Sequence, residues 1–180
     1  DPINTKVGLS LSLAPLGDVR GNLAATLGES LGGVLAMFYP STLCKKANIV
    51  VTELVQNVIE NVQDPASEMR LDVQIDSDTL QVEVTNKATA EQFAAVKDRV
   101  EKLSAADDPK RLFAETLRAR RMQRLRGGLG LLRLVSENRF RLSARLGIDA
   151  GISPGRVDQG NHRQQEAIVV EQRQPPADGG

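Results

Sequence analysis

Alternation of apolar and polar residues, the pattern of a strand with one buried face, occurs at several points along the chain. In residues 6–13, one valine and three leucines alternate with glycine and serine, which predicts an edge or outer strand. Residues 69–76 and 80–85 alternate on either side of a polar turn and therefore predict an antiparallel hairpin. Further strands are predicted at residues 139–146 and 167–170.

Apolar residues at spacings of three and four predict the helical parts of the chain. The first helix ends before Pro40, and Ser41 is interpreted as the N-cap of the second, because serine can accept a hydrogen bond from the first helical turn. Gly28, Gly32 and Gly33 are interpreted as positions of close helix packing. The predicted helices cover residues 18–38, 41–63, 89–103, about 107–125 and a short segment that ends near 135.

The order of these elements indicates the fold class. Helices cluster in the front and middle of the chain, while the strands form hairpins instead of alternating strictly with helices. This order predicts an α/β protein of the α+β two-layer kind, with a mixed, mostly antiparallel sheet covered on one face by helices. Residues 1–173 are expected to form one domain and residues 174–180 a disordered tail.

The composition excludes several kinds of site. Among 180 residues there is one cysteine, Cys44, and one histidine, His162. An intramolecular disulfide and a Cys/His zinc site are therefore excluded, and Ser-His-Asp catalysis is disfavoured. Cys44 is interpreted as small buried filler and His162 as solvent-exposed. The chain has no apolar run of about 18 residues and no signal-peptide pattern, which predicts a cytoplasmic protein without a membrane partner.

The charges cancel in sum but are segregated along the chain. The 23 basic and 23 acidic residues give zero net charge, yet residues 53–108 hold 13 acids and 5 bases, whereas residues 110–145 hold 11 bases and 2 acids. A basic stretch can attract a nucleic-acid backbone. A solvated helix face is the commoner explanation, so nucleic-acid binding is not expected.

One predicted helix carries a polar stripe beside its apolar face. Glu53, Asn57 and Asn61 recur at intervals of four and therefore share one edge of the helix at 41–63. An amide oxygen is a hard ligand for Mg²⁺, and a carboxylate one turn earlier can orient an attacking water or hydroxyl. The same spacing also fits the solvated edge of an amphipathic helix, so both interpretations stay open.

A glycine-rich turn, Arg126-Gly127-Gly128-Leu129-Gly130-Leu131, precedes the last predicted helix. Gly128 and Gly130 allow backbone N–H groups to approach phosphate oxygens, and the helix that follows presents its positive end to an anion. Many glycine-rich turns before helices share this pattern, so by itself the turn is a weak signal.

Glu53-x-x-x-Asn57 on a helix, followed by a hairpin and then by Gly128-Leu129-Gly130-Leu131, resembles the GHKL ATPase superfamily in its anti-sigma-factor serine kinase branch. Within that branch the chain looks most like the SiaB-type stand-alone kinases of bacterial partner-switching pathways. The resemblance spans residues 41–146. It implies a Bergerat-type ATP-binding fold, ATP and Mg²⁺ as ligands, and a small anti-sigma-antagonist-like protein as partner. It also implies a homodimer, for which the strand at 6–13 is the candidate interface.

The resemblance also implies roles for individual residues. Glu53 matches the family's general-base or nucleophile-orienting glutamate, and Asn57 matches the asparagine that holds Mg²⁺ against the phosphates. The turn residues Gly128, Leu129 and Gly130 match the segment that lines the phosphate path. Asn61 falls where many relatives carry a basic residue or a histidine, and it would touch a phosphate as a neutral donor.

Two positions depart from the family pattern. Asn86 stands where relatives carry the aspartate of an Asp-x-Gly motif that accepts a hydrogen bond from the adenine amino group. A carboxamide offers the same acceptor without charge assistance, which weakens the hydrogen bond. Arg126 stands where the full Gly-x-Gly-Leu-Gly-Leu pattern has its first glycine, and it would either pair with a phosphate or fill the mouth of the site.

The resemblance therefore implies a regulatory protein kinase that phosphorylates serine or threonine. The alternative is a degenerate member of the same fold that has lost nucleotide binding and acts by binding a partner protein. The missing Asp-x-Gly motif favours the alternative, whereas the intact Glu53, Asn57 and Gly-Leu-Gly-Leu turn favour the kinase.

Overall fold

A computed structural model describes residues 5–76, 79–122, 130–138, 140–147 and 164–173. Its sheet has five strands in the order β1-β2-β3-β5-β4, and every neighbouring pair is antiparallel. The predicted edge position of the first strand is confirmed, since β1 ends the sheet. The strands are β1 (Val7–Leu13), β2 (Met69–Asp76), β3 (Thr79–Ala88), β4 (Arg141–Gly147) and β5 (Gln164–Arg173).

The described residues contain five α-helices, which are α1 (Leu23–Leu35), α2 (Ser41–Asn61), α3 (Ala90–Ser104), α4 (Pro109–Met122) and α5 (Gly130–Asn138). The helix predicted from residue 18 begins five residues later. A 3₁₀ turn ends at Asp18, Gly21 has a φ of +75°, and the Asn22 side chain accepts a hydrogen bond from the Ala25 backbone N–H at 3.2 Å. This side-chain cap fixes the start of α1.

Ser41 is not the N-cap of α2, contrary to the prediction. Pro40 occupies that position in an extended conformation, and Ser41 is the first helical residue. At α3 the cap is complete, because the Thr89 side chain accepts from the Gln92 backbone N–H at 3.2 Å and the Gln92 side chain accepts from the Thr89 backbone N–H at 3.0 Å. This capping box fixes where α3 leaves the sheet.

The core lies between one face of the sheet and the helices. Along β2 the apolar residues are buried and alternate with polar ones, and the register places Leu71 beside Val84 and Val73 beside Val82. The buried stripe of α2, centred on Leu54, belongs to the same core. The opposite face of β1 and β2 is polar, with Asp72 accepting a hydrogen bond from the Ser10 hydroxyl at 2.6 Å. The predicted two-layer fold, helices on one face of a sheet, is therefore confirmed.

The glycines of α1 have different surroundings. A Cβ at Gly28 would collide with the Thr52 and Asn48 side chains of α2, and a Cβ at Gly32 would lie 3.4 Å from the Cys44 carbonyl oxygen. Gly33 faces open space, so its predicted packing role is wrong. Cys44 is buried, as predicted.

Some predictions fall outside the described residues. These are the positions of Arg126, Gly128, Leu129 and His162 and of the tail at 174–180. Among the described helices, none combines the length and the apolar character that crossing a membrane requires.

Candidate functional site

Helix α2 places the predicted polar stripe at the boundary between core and surface. The Glu53 side chain is 23% exposed, Asn57 is half-buried and Asn61 is exposed. The predicted arrangement of these residues on one helix is confirmed. Glu53 is more enclosed than the solvated edge of an amphipathic helix would require.

Glu53 lies directly against Gly130, the first residue of α5. A Cβ at Gly130 would collide with Glu53 Oε2 and would lie 3.0 Å from Cδ of the same carboxylate. Any larger residue would therefore displace the carboxylate. Glu53 and Gly130, which belong to two sequence motifs far apart in the chain, are therefore adjacent in the structure.

Two charged residues in the described part of the chain act on the Glu53 carboxylate, one positive and one negative. Arg133 Nη1 lies 3.7 Å from Glu53 Oε1, and Glu60 lies on the same helix. Burial raises the pKa of Glu53, Arg133 lowers it and Glu60 raises it, and the balance stands above the ordinary value of 4.5. Burial is the largest cause, because it removes water from the charged form.

The three asparagines of the predicted site converge on one cavity of about 130 Å³. Asn57 and Asn61 reach it from α2, while Asn86 reaches it from the end of β3, on the same side of the strand as the buried Val84. The Asn61 Nδ2 group donates to the Asn57 carbonyl oxygen at 2.6 Å. Asn86 Nδ2 donates to the Lys87 carbonyl oxygen at 3.3 Å.

Helix α3 supplies four further residues that line this cavity, of which Gln92 and Arg99 are polar. Gln92 connects the helices, because its Nε2 group donates to the Asn61 carbonyl oxygen at 3.2 Å while its carbonyl oxygen completes the capping box. Arg99 is exposed, seven residues after Gln92, which places both on one face of α3. A second cavity of about 360 Å³ shares Ala88 and Gln92 with the first.

The sequence interpretation missed Gln92, Arg99 and Arg133. The Thr89-x-x-Gln92 capping signature identifies Gln92 as the start of a helix, although not as a cavity residue. Arg133 follows Gly130 by three residues and therefore lies on the same side of α5. Nothing local in the sequence distinguishes Arg99 from the other exposed charges of α3.

The oxygen donors of the site suit a hard divalent cation. The described residues contain no group of three or more His, Cys, Asp or Glu side chains that would hold an ion by themselves. Asn57 offers one hard carboxamide oxygen. This set fits Mg²⁺, which commonly keeps few protein ligands and takes the remainder from substrate phosphates and water.

The basic segment of α4 shows part of its charge paired. Arg111 Nε lies 2.8 Å from Glu115 Oε1, one turn further along the same helix. Such an exposed pair is typical of a solvated helix face and adds no nucleic-acid site.

Comparisons with known proteins extend the description of the fold. No protein-family model and no curated protein matches the chain. Among solved structures, the chain is similar to one described as the crystal structure of the SiaB–SiaC complex from Pseudomonas aeruginosa, with 16% sequence identity and a TM-score of 0.61. The match covers 89% of this chain and 88% of that chain. At this identity the similarity shows that the two chains share a fold.

Proposed function

We propose that this protein binds ATP with Mg²⁺ and transfers the γ-phosphoryl group to a serine or threonine of a small regulatory protein, as a GHKL-type kinase. The observation that carries the proposal is the contact between Gly130 and the Glu53 carboxylate. The resemblance in sequence requires these two motifs to meet at the phosphates, and a chance glycine-rich turn has no reason to lie against this carboxylate.

In this proposal the nucleotide runs from the cavity along the polar stripe of α2. The volume of about 130 Å³ is below the roughly 300 Å³ at which pockets for drug-sized ligands begin, which supports placing the base alone, and not the whole nucleotide, in this cavity. The base lies near Asn86. The phosphates extend along α2 toward Asn57, Glu53 and Gly130, and a helix advances about 12 Å over the eight residues from Asn61 to Glu53.

The transfer step uses Glu53 as proton acceptor. The substrate hydroxyl oxygen attacks the γ-phosphorus, the bond from that phosphorus to the bridging β-phosphate oxygen breaks, ADP leaves, and the hydroxyl proton passes to the Glu53 carboxylate. The raised pKa of Glu53 increases its affinity for that proton. The positive end of α5 and the Arg133 guanidinium stabilise negative charge beside it. Asn57 is the residue that would hold Mg²⁺, which neutralises phosphate charge when bound.

The proposed kinase requires a protein substrate. The similar solved structure is of SiaB in complex with SiaC, a second protein. The shared fold, together with the resemblance of the Glu53-x-x-x-Asn57 and glycine-turn motifs, supports a protein partner of the anti-sigma-antagonist kind.

The alternative function is a nucleotide-free module that acts by binding a partner. The specific observation in its favour is Asn86, which replaces the expected aspartate and whose amide already donates to the Lys87 carbonyl oxygen. Under this alternative the cavity is a remnant and Glu53 has no substrate.

Thermal unfolding in the presence of Mg-ATP separates the two functions. At a ligand concentration one hundred times Kd, binding to the folded state alone stabilises it by about 2.7 kcal/mol. We expect this shift for the wild type and for Gln56→Ala, and its loss for Asn57→Ala. Gln56 is the matched control, because it neighbours Asn57 but pairs with Glu60 at 2.9 Å.

Transfer of labelled γ-phosphate to an anti-sigma-antagonist-like protein tests the kinase step. We expect Glu53→Gln to keep the Mg-ATP shift and to lose transfer. Absence of any shift at millimolar Mg-ATP in the wild type contradicts nucleotide binding and supports the alternative.

A further inference from the structure

The polar lining of the asparagine cavity has an unusual composition. It consists of the carboxamides of Asn57, Asn61, Asn86 and Gln92 and the guanidinium of Arg99, and no acidic residue lines this cavity within the described part of the chain. A carboxamide carries both a donor and an acceptor, whereas an ionised carboxylate only accepts. The cavity can therefore form hydrogen bonds with ligand groups that donate and with ligand groups that accept.

Several of these groups are already engaged. Gln92 uses its Nε2 on the Asn61 carbonyl oxygen and its Oε1 on the Thr89 backbone N–H. Asn61 uses its Nδ2 on the Asn57 carbonyl oxygen. The groups that remain for a ligand at the β3 end are the Asn86 carboxamide and the Arg99 guanidinium, which makes no ion pair within the described ranges.

The Asn86 carboxamide is held weakly. Its Nδ2 donates to the carbonyl oxygen of the adjacent Lys87 at 3.3 Å, beyond the usual length of an N–H···O bond. Rotation of the carboxamide by half a turn exchanges oxygen and nitrogen at nearly the same positions. Asn86 can thus offer an acceptor or a donor to the same ligand atom.

The two common purines differ in this respect. At the six position adenine carries an amino donor and guanine a carbonyl acceptor, and guanidinium groups pair well with the guanine O6 and N7 acceptors. A carboxylate at position 86 would accept from the adenine amino group and repel the guanine carbonyl oxygen. The carboxamide removes that repulsion, and Arg99 adds donors that suit guanine.

From this lining we infer that the cavity binds guanine about as well as adenine, so that the protein accepts Mg-GTP as well as Mg-ATP, and that Asn86 is the residue that permits this. The inference rests on the proposed nucleotide-binding function.

Competition calorimetry with Mg-ATP and Mg-GTP tests the inference on three proteins: wild type, Asn86→Asp and Asn61→Asp. We expect the two wild-type Kd values to agree within about tenfold, which is the range that one imperfect hydrogen bond produces. Asn86→Asp should raise the preference for ATP by about tenfold to a hundredfold, mostly through weaker GTP binding. Asn61→Asp places the same charge in the same cavity but on α2, the side toward the phosphates and not the Asn86 side, and it should weaken both nucleotides without changing their ratio.

The outcomes distinguish a failure of the guanine inference from a failure of the proposed nucleotide binding. If the wild type binds ATP more than a hundredfold tighter than GTP, or if Asn86→Asp leaves the ratio unchanged, the inference is wrong while nucleotide binding stands. If the wild type binds neither nucleotide, the proposed function fails. The wild-type ratio requires no variant, so a folding defect in Asn86→Asp cannot obscure the first comparison.

Discussion

Glu53 shows how a single residue combines an energetic cost with a chemical use. Its carboxylate lies against Gly130 and is 23% exposed, and among the described residues its one cationic neighbour is Arg133, at 3.7 Å. At that distance and exposure the ion pair does not offset the loss of water, and the pKa of Glu53 is raised. The folded protein therefore holds the ionised carboxylate at a cost, as a residue kept for a proton-transfer role would.

The pH dependence of stability tests this cost. Because the folded pKa exceeds the unfolded one, the contribution of Glu53 to stability is complete below the unfolded pKa, near 4.5, and is lost as the pH rises through the folded value. Glu53→Gln removes the charge. We expect it to be more stable than the wild type at pH 7, with the difference shrinking toward pH 4, as measured by urea unfolding.

Glu29→Gln is the control for that experiment. Glu29 is exposed on α1, so its neutralisation should change the free energy of unfolding little at either pH. An equal gain from Glu53→Gln at both pH values would show that burial of charge is not the cause.

The close packing of α1 on α2 depends on one glycine, Gly28. Gly28 allows the α1 backbone to approach the Asn48 and Thr52 side chains, which themselves share a hydrogen bond of 3.1 Å. Close approach matters here because α2 carries both the core stripe and the polar stripe. A change in the α1 contact would tilt the helix on which Glu53 and Asn57 lie.

Matched substitutions in α1 separate helix propensity from packing. We expect Gly28→Ala to destabilise the protein by about 1–3 kcal/mol, because the added methyl group overlaps α2. Gly33→Ala should stabilise it by up to about 1 kcal/mol, since Gly33 faces open space and alanine favours the helix. Chemical denaturation would measure both changes in the free energy of unfolding. If both substitutions changed the stability in the same direction, helix propensity alone would account for their effects.

Local periodicity predicted α2 and β2 almost to their bounds, because their spacing depends on neighbouring residues. Local periodicity failed where the end of an element depends on residues far away in the chain. The predicted strand at 80–85 extends to Ala88 because Ala88 pairs with Gln164 of β5. Glu53 and Asn57 follow from spacing on one helix, but their meeting with Gly130 required the family resemblance, and Arg99 depends on how α3 docks.

The whole molecule has an edge that its sequence does not protect. Strand β1 pairs with β2 on one side, and no described strand pairs with its other side. Edges are commonly blunted by charges, prolines or bulges, whereas β1 has none of the first two between Val7 and Leu13. The pattern of apolar and small residues in β1 is the same from either end of the strand. If a second copy of β1 added to this edge in the antiparallel direction, apolar residues would face apolar residues and small residues would face small residues.

We therefore expect the predicted homodimer to form through β1 and to depend on its neutrality. Gly8→Lys should shift the mass measured by light scattering from about twice 19.5 kDa to the monomer, because a charged edge opposes strand addition. Gly8→Thr, which adds a neutral side chain where a Cβ meets nothing, should leave the dimer intact. A monomeric wild type at high concentration would refute this interface.

The position of β5 affects how the protein is made. Strands β3 and β4 do not pair with each other, and both pair with β5, which follows them in the chain. On a ribosome that adds roughly 5–20 residues per second, the segment at 89–163 takes on the order of 4–15 s to synthesise. For that time the nascent hairpin carries an open β3 edge, and Asn86 lies on it. A chaperone that shields unpaired strands would thus encounter this edge before β5 is made and can pair with it.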